Sequence, residues 1–309
     1  MSSREKSYSA FGGRKLKAAA RLSAYVCLLS LFLLITGFSS PQEAPRKAVW
    51  LWHTSLVASE PDEILAFSKK QGVNLLYLQI DITKKPSYYQ AFIRDARRVG
   101  IEVHALSGSP AWGLRANQQK VLAFVSWVHQ YNQSVLEEEK ISGVHVDIEP
   151  YLLPEWKSDQ ADVMGQWREN VNAYLELAHE DPQLETGCDI PFWLDKYELP
   201  DLPDMTLSQW MIAQHDHVAI MSYRDRVDGP NSIASLVVQE LGYADALGKK
   251  IMLGVETKES SEGNFVSFYE EGAAYLNQEI TKLPILMAEH ASYGGIAVHS
   301  YEYWKTLGD

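Results

Sequence analysis

Residues 143–151 read Gly-Val-His-Val-Asp-Ile-Glu-Pro-Tyr and place His145, Asp147 and Glu149 at every second position. Side chains alternate faces along a strand, so Val144, Val146 and Ile148 share an apolar face and the three ionisable groups share the other. Two carboxylates stacked on one face push their proton affinities apart, and one of them can hold a proton near neutral pH. A carboxyl in that state is a general acid, suited to protonating a leaving oxygen. The alternative is a buried hydrogen-bonded network without chemistry, because isolated charges are costly inside a protein. A further acid, Glu256, ends the apolar run that starts at Lys250, and shares its face with Met252 and Gly254. A salt bridge to Arg224 or Lys258 is its structural alternative.

These residues need elements to hold them. From Ala48 onward, eight short runs rich in β-branched and aromatic residues alternate with longer amphipathic stretches. The runs are 48–54, 74–81, 102–109, 143–151, 185–194, 217–225, 250–258 and 294–304. Pro61-Asp62-Glu63 opens the first intervening helix and Gly72 closes it. Val121, Leu122, Val125 and Val128 form the apolar stripe of a second helix, and Val163, Trp167, Val171, Tyr174 and Ala178 that of a third. Eight β-then-α units predict a single-domain α/β fold, a (β/α)8 TIM barrel, over residues 48–309. An open doubly wound sheet is disfavoured because no glycine-rich phosphate loop follows the first run. The barrel puts function at the carboxyl ends of strands. His53, Asp81, Ser107, Asp147, Glu149, Tyr223, Glu256 and Glu302 all fall late in their runs.

The fourth run resembles a known signature. Ser142-Gly-Val-His145-Val-Asp147-Ile-Glu149 is similar to the Asp-Gly-x-Asp-x-Asp-x-Glu of chitinase-type (family 18) glycoside hydrolases, with Ser142 and His145 at the first two acid positions. Leu106-Ser107-Gly108 resembles their third-strand Ser-x-Gly-Gly. Met221-Ser-Tyr223 resembles their Met-x-Tyr-Asp, with Arg224 in place of Asp, and Gly294–His299 resembles the eighth strand, with His299 in place of tryptophan. The resemblance implies a retaining, substrate-assisted hydrolysis without cofactor. Glu149 would protonate the glycosidic oxygen, Asp147 would orient the sugar's N-acetyl group for attack, and Tyr223 would hydrogen-bond the acetamido oxygen. Ile148-Glu149-Pro150 is also similar to the Asn-Glu-Pro of retaining glycosidases with two glutamates on this fold. There Glu256 would be the nucleophile, about 5–5.5 Å from Glu149.

Sugars present flat C–H faces that stack on aromatic rings. Trp52, Trp112 and Trp193 flank strand tips and are the expected platforms, with Asp81, His145, Arg224 and His299 as further substrate-binding candidates. No His-Glu-x-x-His, cysteine pair or first-strand His-x-His is present, so no metal is expected. Asn132-Gln-Ser134 is a glycosylation sequon in a eukaryotic secretory host.

The chain carries 28 basic and 40 acidic residues, and its first 40 residues hold six of the bases and one acid. The remainder has a net charge of −17, which repels phosphate backbones and excludes nucleic acid as a natural partner. Basic residues 4–21, uncharged Leu22–Phe38 and Ser39-Ser40-Pro41 follow the pattern of an export signal with cleavage after Ser39. At 17 residues the apolar segment is also near the length of a membrane anchor. Residues 1–39 are thus expected to be a signal peptide or anchor and 40–47 a tether, with the barrel outside the cytoplasm. Cys188 is expected to be unpaired, since Cys27 lies in the leader. The expected function is an exported glycoside hydrolase acting on a polysaccharide or glycan. A non-catalytic carbohydrate-binding barrel is the alternative, because family positions have changed.

Overall fold

The computed structural model describes residues 44–308. The leader and its cleavage or anchoring, with Cys27, lie outside the described residues. Among the described residues, no helix is long and apolar enough to cross a membrane.

All eight expected runs form strands, and they close into one parallel barrel. In chain order these are β1 (Arg46–Leu51), β2 (Leu75–Gln79), β3 (Glu102–Ser107), β4 (Gly143–Val146), β5 (Glu185–Pro191), β8 (His217–Met221), β9 (Lys250–Glu256) and β10 (Tyr293–His299). β1 starts inside the stretch read as a tether: Arg46 pairs in register with Gly295 and anchors its guanidinium on Glu185. The strands are shorter than the apolar runs because the last residues of each run leave the ladder and become the rim. The run 294–304, for example, turns after His299 into the short helix Tyr301–Trp304, whose Tyr301 and Trp304 are buried. A small antiparallel hairpin, β6 (Glu198–Leu199) with β7 (Leu202–Thr206), is inserted between β5 and β8 and was not foreseen. Its strands are too short, and too polar in β7, to produce a periodic signal.

The helices follow their stripes. Pro61–Gln71 ends at Gly72 in the left-handed conformation. Gln118–Ser134 buries Val121, Val125 and Val128, while Leu122 is half-buried against the same core. Gln160–Ala178 is capped by Asp159, which accepts from the Asp162 N–H at 3.1 Å, and buries Val163, Trp167, Val171, Tyr174 and Ala178. Each large apolar side chain removed from water there is worth roughly 1.5–3 kcal/mol.

The core has two layers. Val49, Leu51, Leu76, Leu78, Val144, Val146 and Ile148 pack outward under the helices. Ala48, Trp50, Leu75, Tyr77, Leu106, Ala219, Met252 and Ala297 pack within the barrel. The lumen also holds buried polar groups, His104, His145, Asp189 and His217. Asn132 is buried too, and its side chain makes two 2.9 Å hydrogen bonds with the backbone of Ile141. That pairing removes the sequon reading: the amide is a structural clamp with no exposed nitrogen to modify. Cys188 is a free, buried thiol.

Candidate active site

The β4 alternation continues past the last ladder residue. Ile148 stays in the outer core, while Asp147 and Glu149 turn to the carboxyl-terminal mouth of the barrel. Gly108 makes room for this: a Cβ there would lie 1.8 Å from the Asp147 carbonyl oxygen, so only glycine lets β3 pass so close. Asp147 is further tied to β3 by its N–H, which donates to the Ser107 carbonyl at 3.1 Å.

Two cavities meet at this rim. The inner one, about 180 Å³, is lined by Trp50, Trp52, Asp147, Glu149, Asp189, Met221, Tyr223 and His299. The outer one, about 510 Å³, has aromatic walls from Tyr151, Trp156, Phe192, Trp193 and Tyr197, with Arg224 and Glu262 among its polar groups. Glu149, Met221 and Tyr223 line both and stand at the junction.

The inner cavity is strongly acidic. Burial raises the proton affinity of Asp147 well above the usual carboxylate range, and the charges of Asp189 and Glu149 add to it. Asp147 Oδ1 is buried without a hydrogen-bond partner, a group held ready rather than satisfied. Glu149 Oε1 accepts a hydrogen bond from the Tyr151 hydroxyl. Burial and the Glu149 charge keep that phenol protonated, so it remains a donor. Tyr223 is likewise held protonated by burial and by the surrounding carboxylates.

The floor is a short relay. Trp52 Nε1–H donates to His299 Nε2 at 3.0 Å, and His299 Nδ1 lies 3.0 Å from Glu256 Oε2. Burial opposes a charge on His299, but Glu256, Asp147 and Asp189 outweigh it and raise its proton affinity. Glu256 Oε1 also accepts the N–H groups of Thr257 and Lys258, both at 2.8 Å. Its partner is thus His299, not Arg224 or Lys258, and it lines neither cavity. Glu302 accepts the backbone N–H groups of Trp52 and His53 at 2.8 Å and fixes the exit of β1.

The expected residues therefore separate. Asp147, Glu149, Tyr223, Trp52 and His299 come together at the inner cavity, and Trp193 and Arg224 line the outer one. Arg224 lies between the rings of Phe192 and Phe265, 5.0 and 5.4 Å from their centroids, and donates to Asn231 and to the Tyr223 carbonyl. Three candidates lie elsewhere. His145 is sealed beneath the cavity, 2.8 Å from Asp189, and offers nothing to a ligand. Trp112 packs against Phe124 under a short turn, because its neighbours at the strand tip are apolar. Asp81 closes its own loop by accepting the N–H and hydroxyl of Thr83, which lowers its proton affinity. Sequence reasoning missed Asp189 on β5, Tyr151 beside Glu149, and Trp50, whose Nε1–H donates to Asp189 at 3.1 Å.

Glu102, His104 and Glu185, at the amino-terminal ends of β3 and β5, bring potential metal-ligand atoms within 4.8 Å of one another. The Arg46 guanidinium already supplies the positive charge there, 2.8 Å from Glu185 Oε1 and 3.5 Å from Glu102 Oε2.

No family model and no curated protein matches the chain. Solved structures do. A chitinase from Bacteroides thetaiotaomicron aligns over 85% of this chain and 93% of its own, with TM-score 0.53 and 10% identity. The spore cortex-lytic enzyme of Bacillus cereus aligns over 84% and 71%, with TM-score 0.54 and 13% identity. A family-18 chitinase from Cycas revoluta, in complex with (GlcNAc)3, aligns over 84% and 95%, with TM-score 0.51 and 15% identity. The motif resemblance thus has a counterpart in three dimensions, and this chain carries the (β/α)8 fold of chitinase-type proteins.

Proposed function

We propose that this protein is a glycoside hydrolase acting on a glycan that contains 2-acetamido sugars, and that Glu149 is its general acid and base. The observation that carries this reading is the shared junction: Asp147, Glu149 and Tyr223 line one inner cavity that adjoins an aromatic-walled outer one. The family-18 and cortex-lytic neighbours share the barrel, and one of them is a complex with (GlcNAc)3.

In this scheme a sugar enters the inner cavity and the rest of the glycan lies along Tyr151, Trp193 and Tyr197. Tyr151 occupies Glu149 Oε1, so the proton leaves from Oε2 to the glycosidic oxygen. The acetamido oxygen attacks the anomeric carbon, held by the Tyr223 hydroxyl and oriented by protonated Asp147. Water then opens the intermediate with Glu149 as base, and the configuration is retained. Substrate-assisted schemes of this kind need no enzyme nucleophile. Glu256 is accordingly the orienter of His299, not a nucleophile. The leader would carry the protein out of the cytoplasm, to where such glycans occur.

Chitin oligosaccharides and peptidoglycan test the reading. Wild type should release reducing ends, and Glu149→Gln should lower kcat at least ~10²–10⁴-fold, the usual worth of a positioned acid, with binding kept. A wild type that is inert but retained on one of these glycans would make the chain a carbohydrate-binding barrel.

A further inference from the structure

Adjacent parallel strands in the barrel set polar side chains in rows. The β4–β5 register pairs His145 with Gly187 and Val146 with Cys188, so the next row puts Asp147 beside Asp189. Strands lie about 4.8 Å apart, close enough for the two carboxyl groups to meet across the cavity that both line. The row below reads His145 on β4, Gly187 on β5 and His217 on β8. Gly187 leaves a gap that the two imidazoles fill: a Cβ there would lie 2.3 Å from His217 Nε2 and 2.7 Å from His145 Nδ1.

A continuous chain results. Asp189 Oδ1 is 2.8 Å from His145 Nε2, His145 Nδ1 is 3.2 Å from His217 Nε2, and His217 Nδ1 is 2.9 Å from Glu185 Oε1. Arg46 Nη1 donates to both Glu185 oxygens at 2.8 and 2.9 Å. The two histidines and Asp189 are buried, and Tyr77 stacks on His145 with centroids 3.8 Å apart. Each of the three close contacts is repulsive unless a proton lies between its two atoms. Two neutral imidazoles supply two protons, so the chain needs one more. Arg46 and the histidines outweigh burial and keep Glu185 ionised, which leaves Asp189, His145 and His217 to hold the third proton.

We propose that Asp189 is a positioning residue for Asp147, and that its charge is set by one proton held along Asp189, His145 and His217, anchored by Glu185 and Arg46. When the proton sits on an imidazole, Asp189 is an anion and Asp147 keeps its own proton. When it moves to Asp189, Asp147 can ionise beside a neutral neighbour. Asp189 thus takes over, from the adjacent strand, the role of a neighbouring acid, at a site where position 145 is a histidine. The groups facing Asp189 are His145, Asp147 and Glu149 from the β4 side, His217 and Tyr223 from the β8 side, and His299 from β10.

This inference rests on the hydrolase reading, and the test separates the two. In full-length protein, the histidine 15N and aspartate 13C NMR signals should show one proton beyond two neutral imidazoles on Asp189, His145 or His217. Two neutral rings with ionised Asp189 would overturn the chain, whether or not the protein hydrolyses glycans. In hydrolysis, Asp189→Asn removes an anion beside Asp147 and Glu149, so the alkaline limb of kcat/KM should move down by at least one pH unit. KM should change less than about threefold and kcat should fall at least tenfold. His217→Gln, which breaks the chain away from both cavities, should move the same limb in the same direction, and it serves if Asp189→Asn fails to fold. A lower kcat with an unmoved limb in folded variants would reduce the chain to scaffolding and overturn the proposal. A wild type with no hydrolysis would sink the function while the NMR result still decides the chain.

Discussion

Glu256 grips His299: Oε2 lies 3.0 Å from Nδ1, and the opposite ring nitrogen accepts the Trp52 indole N–H at 3.0 Å. One carboxylate thereby fixes the tautomer of the imidazole that lines the floor of the inner cavity. Glu256→Ala should let the ring turn and lower kcat about 10–100-fold, in line with the usual cost of losing an orienting partner. Glu256→Gln, which still accepts from Nδ1–H, should recover most of it. A mechanism-based fluorosugar should label no residue at position 256. Covalent trapping on Glu256 would restore the two-glutamate scheme.

Trp193 packs edge-on to Tyr151 with centroids 4.8 Å apart, in the outer cavity. Stacking energy spent equally on ground and transition states changes KM and leaves kcat alone. Trp193→Ala should raise KM for oligosaccharides about 5–10-fold, roughly one aromatic contact, and leave the shortest substrate unaffected. Trp112→Ala should instead lower thermal stability and leave KM unchanged. Kinetics of both variants on a length series would show a reversed pattern if the outer cavity does not hold the glycan.

How far the sequence reaches is visible at β4 and β5. The alternation of Val144, Val146 and Ile148 with His145, Asp147 and Glu149 is local, so a period of two revealed it. Asp189 was not legible, because a lone acid after Gly187-Cys188 acquires meaning only when the barrel sets it beside Asp147. Glu256 read as a second catalytic acid for the opposite reason: its position at a strand end was right, but its partner, His299, comes from a strand more than forty residues later. Asn132 looked like a modification site because a sequon carries no information about burial.

Asn132 now makes its own prediction. Alanine there would strand the buried N–H and carbonyl of Ile141, and each unpaired group costs about 1–3 kcal/mol. Urea unfolding of Asn132→Ala should show a loss of about 2–4 kcal/mol. Expression in a glycosylating host should leave folded wild type unmodified at this position. A glycan at Asn132 on native protein, found by peptide mass mapping, would contradict the buried clamp.

Stability should fall on both sides of neutrality, with different groups responsible. Burial lowers the His215 proton affinity to about 3. Its contribution is present above the ordinary imidazole value near 6.5 and is lost as pH falls toward 3. Asp147 and Asp189 are shifted the other way, so they bind a proton in the folded state that the unfolded chain releases. Their contribution is present below the ordinary carboxylate value near 4 and is lost as pH rises through the folded values. Each proton steepens the dependence by up to about 1.4 kcal/mol per pH unit. Denaturant titrations from pH 4 to 9 should show a shallower alkaline arm in Asp189→Asn. An unchanged alkaline arm would mean that Asp189 is not protonated in the folded protein.

The central claim is that Glu149 delivers a proton to a departing sugar oxygen, and leaving-group dependence tests it most directly. A natural oligosaccharide needs that proton, whereas an aryl glycoside with an acidic phenol does not. Comparing wild type with Glu149→Gln should show a loss of kcat/KM at least ~10²-fold greater on the oligosaccharide than on the aryl glycoside, the low end of what a positioned acid contributes. Equal losses on the two substrates, or none on either, would contradict the assignment.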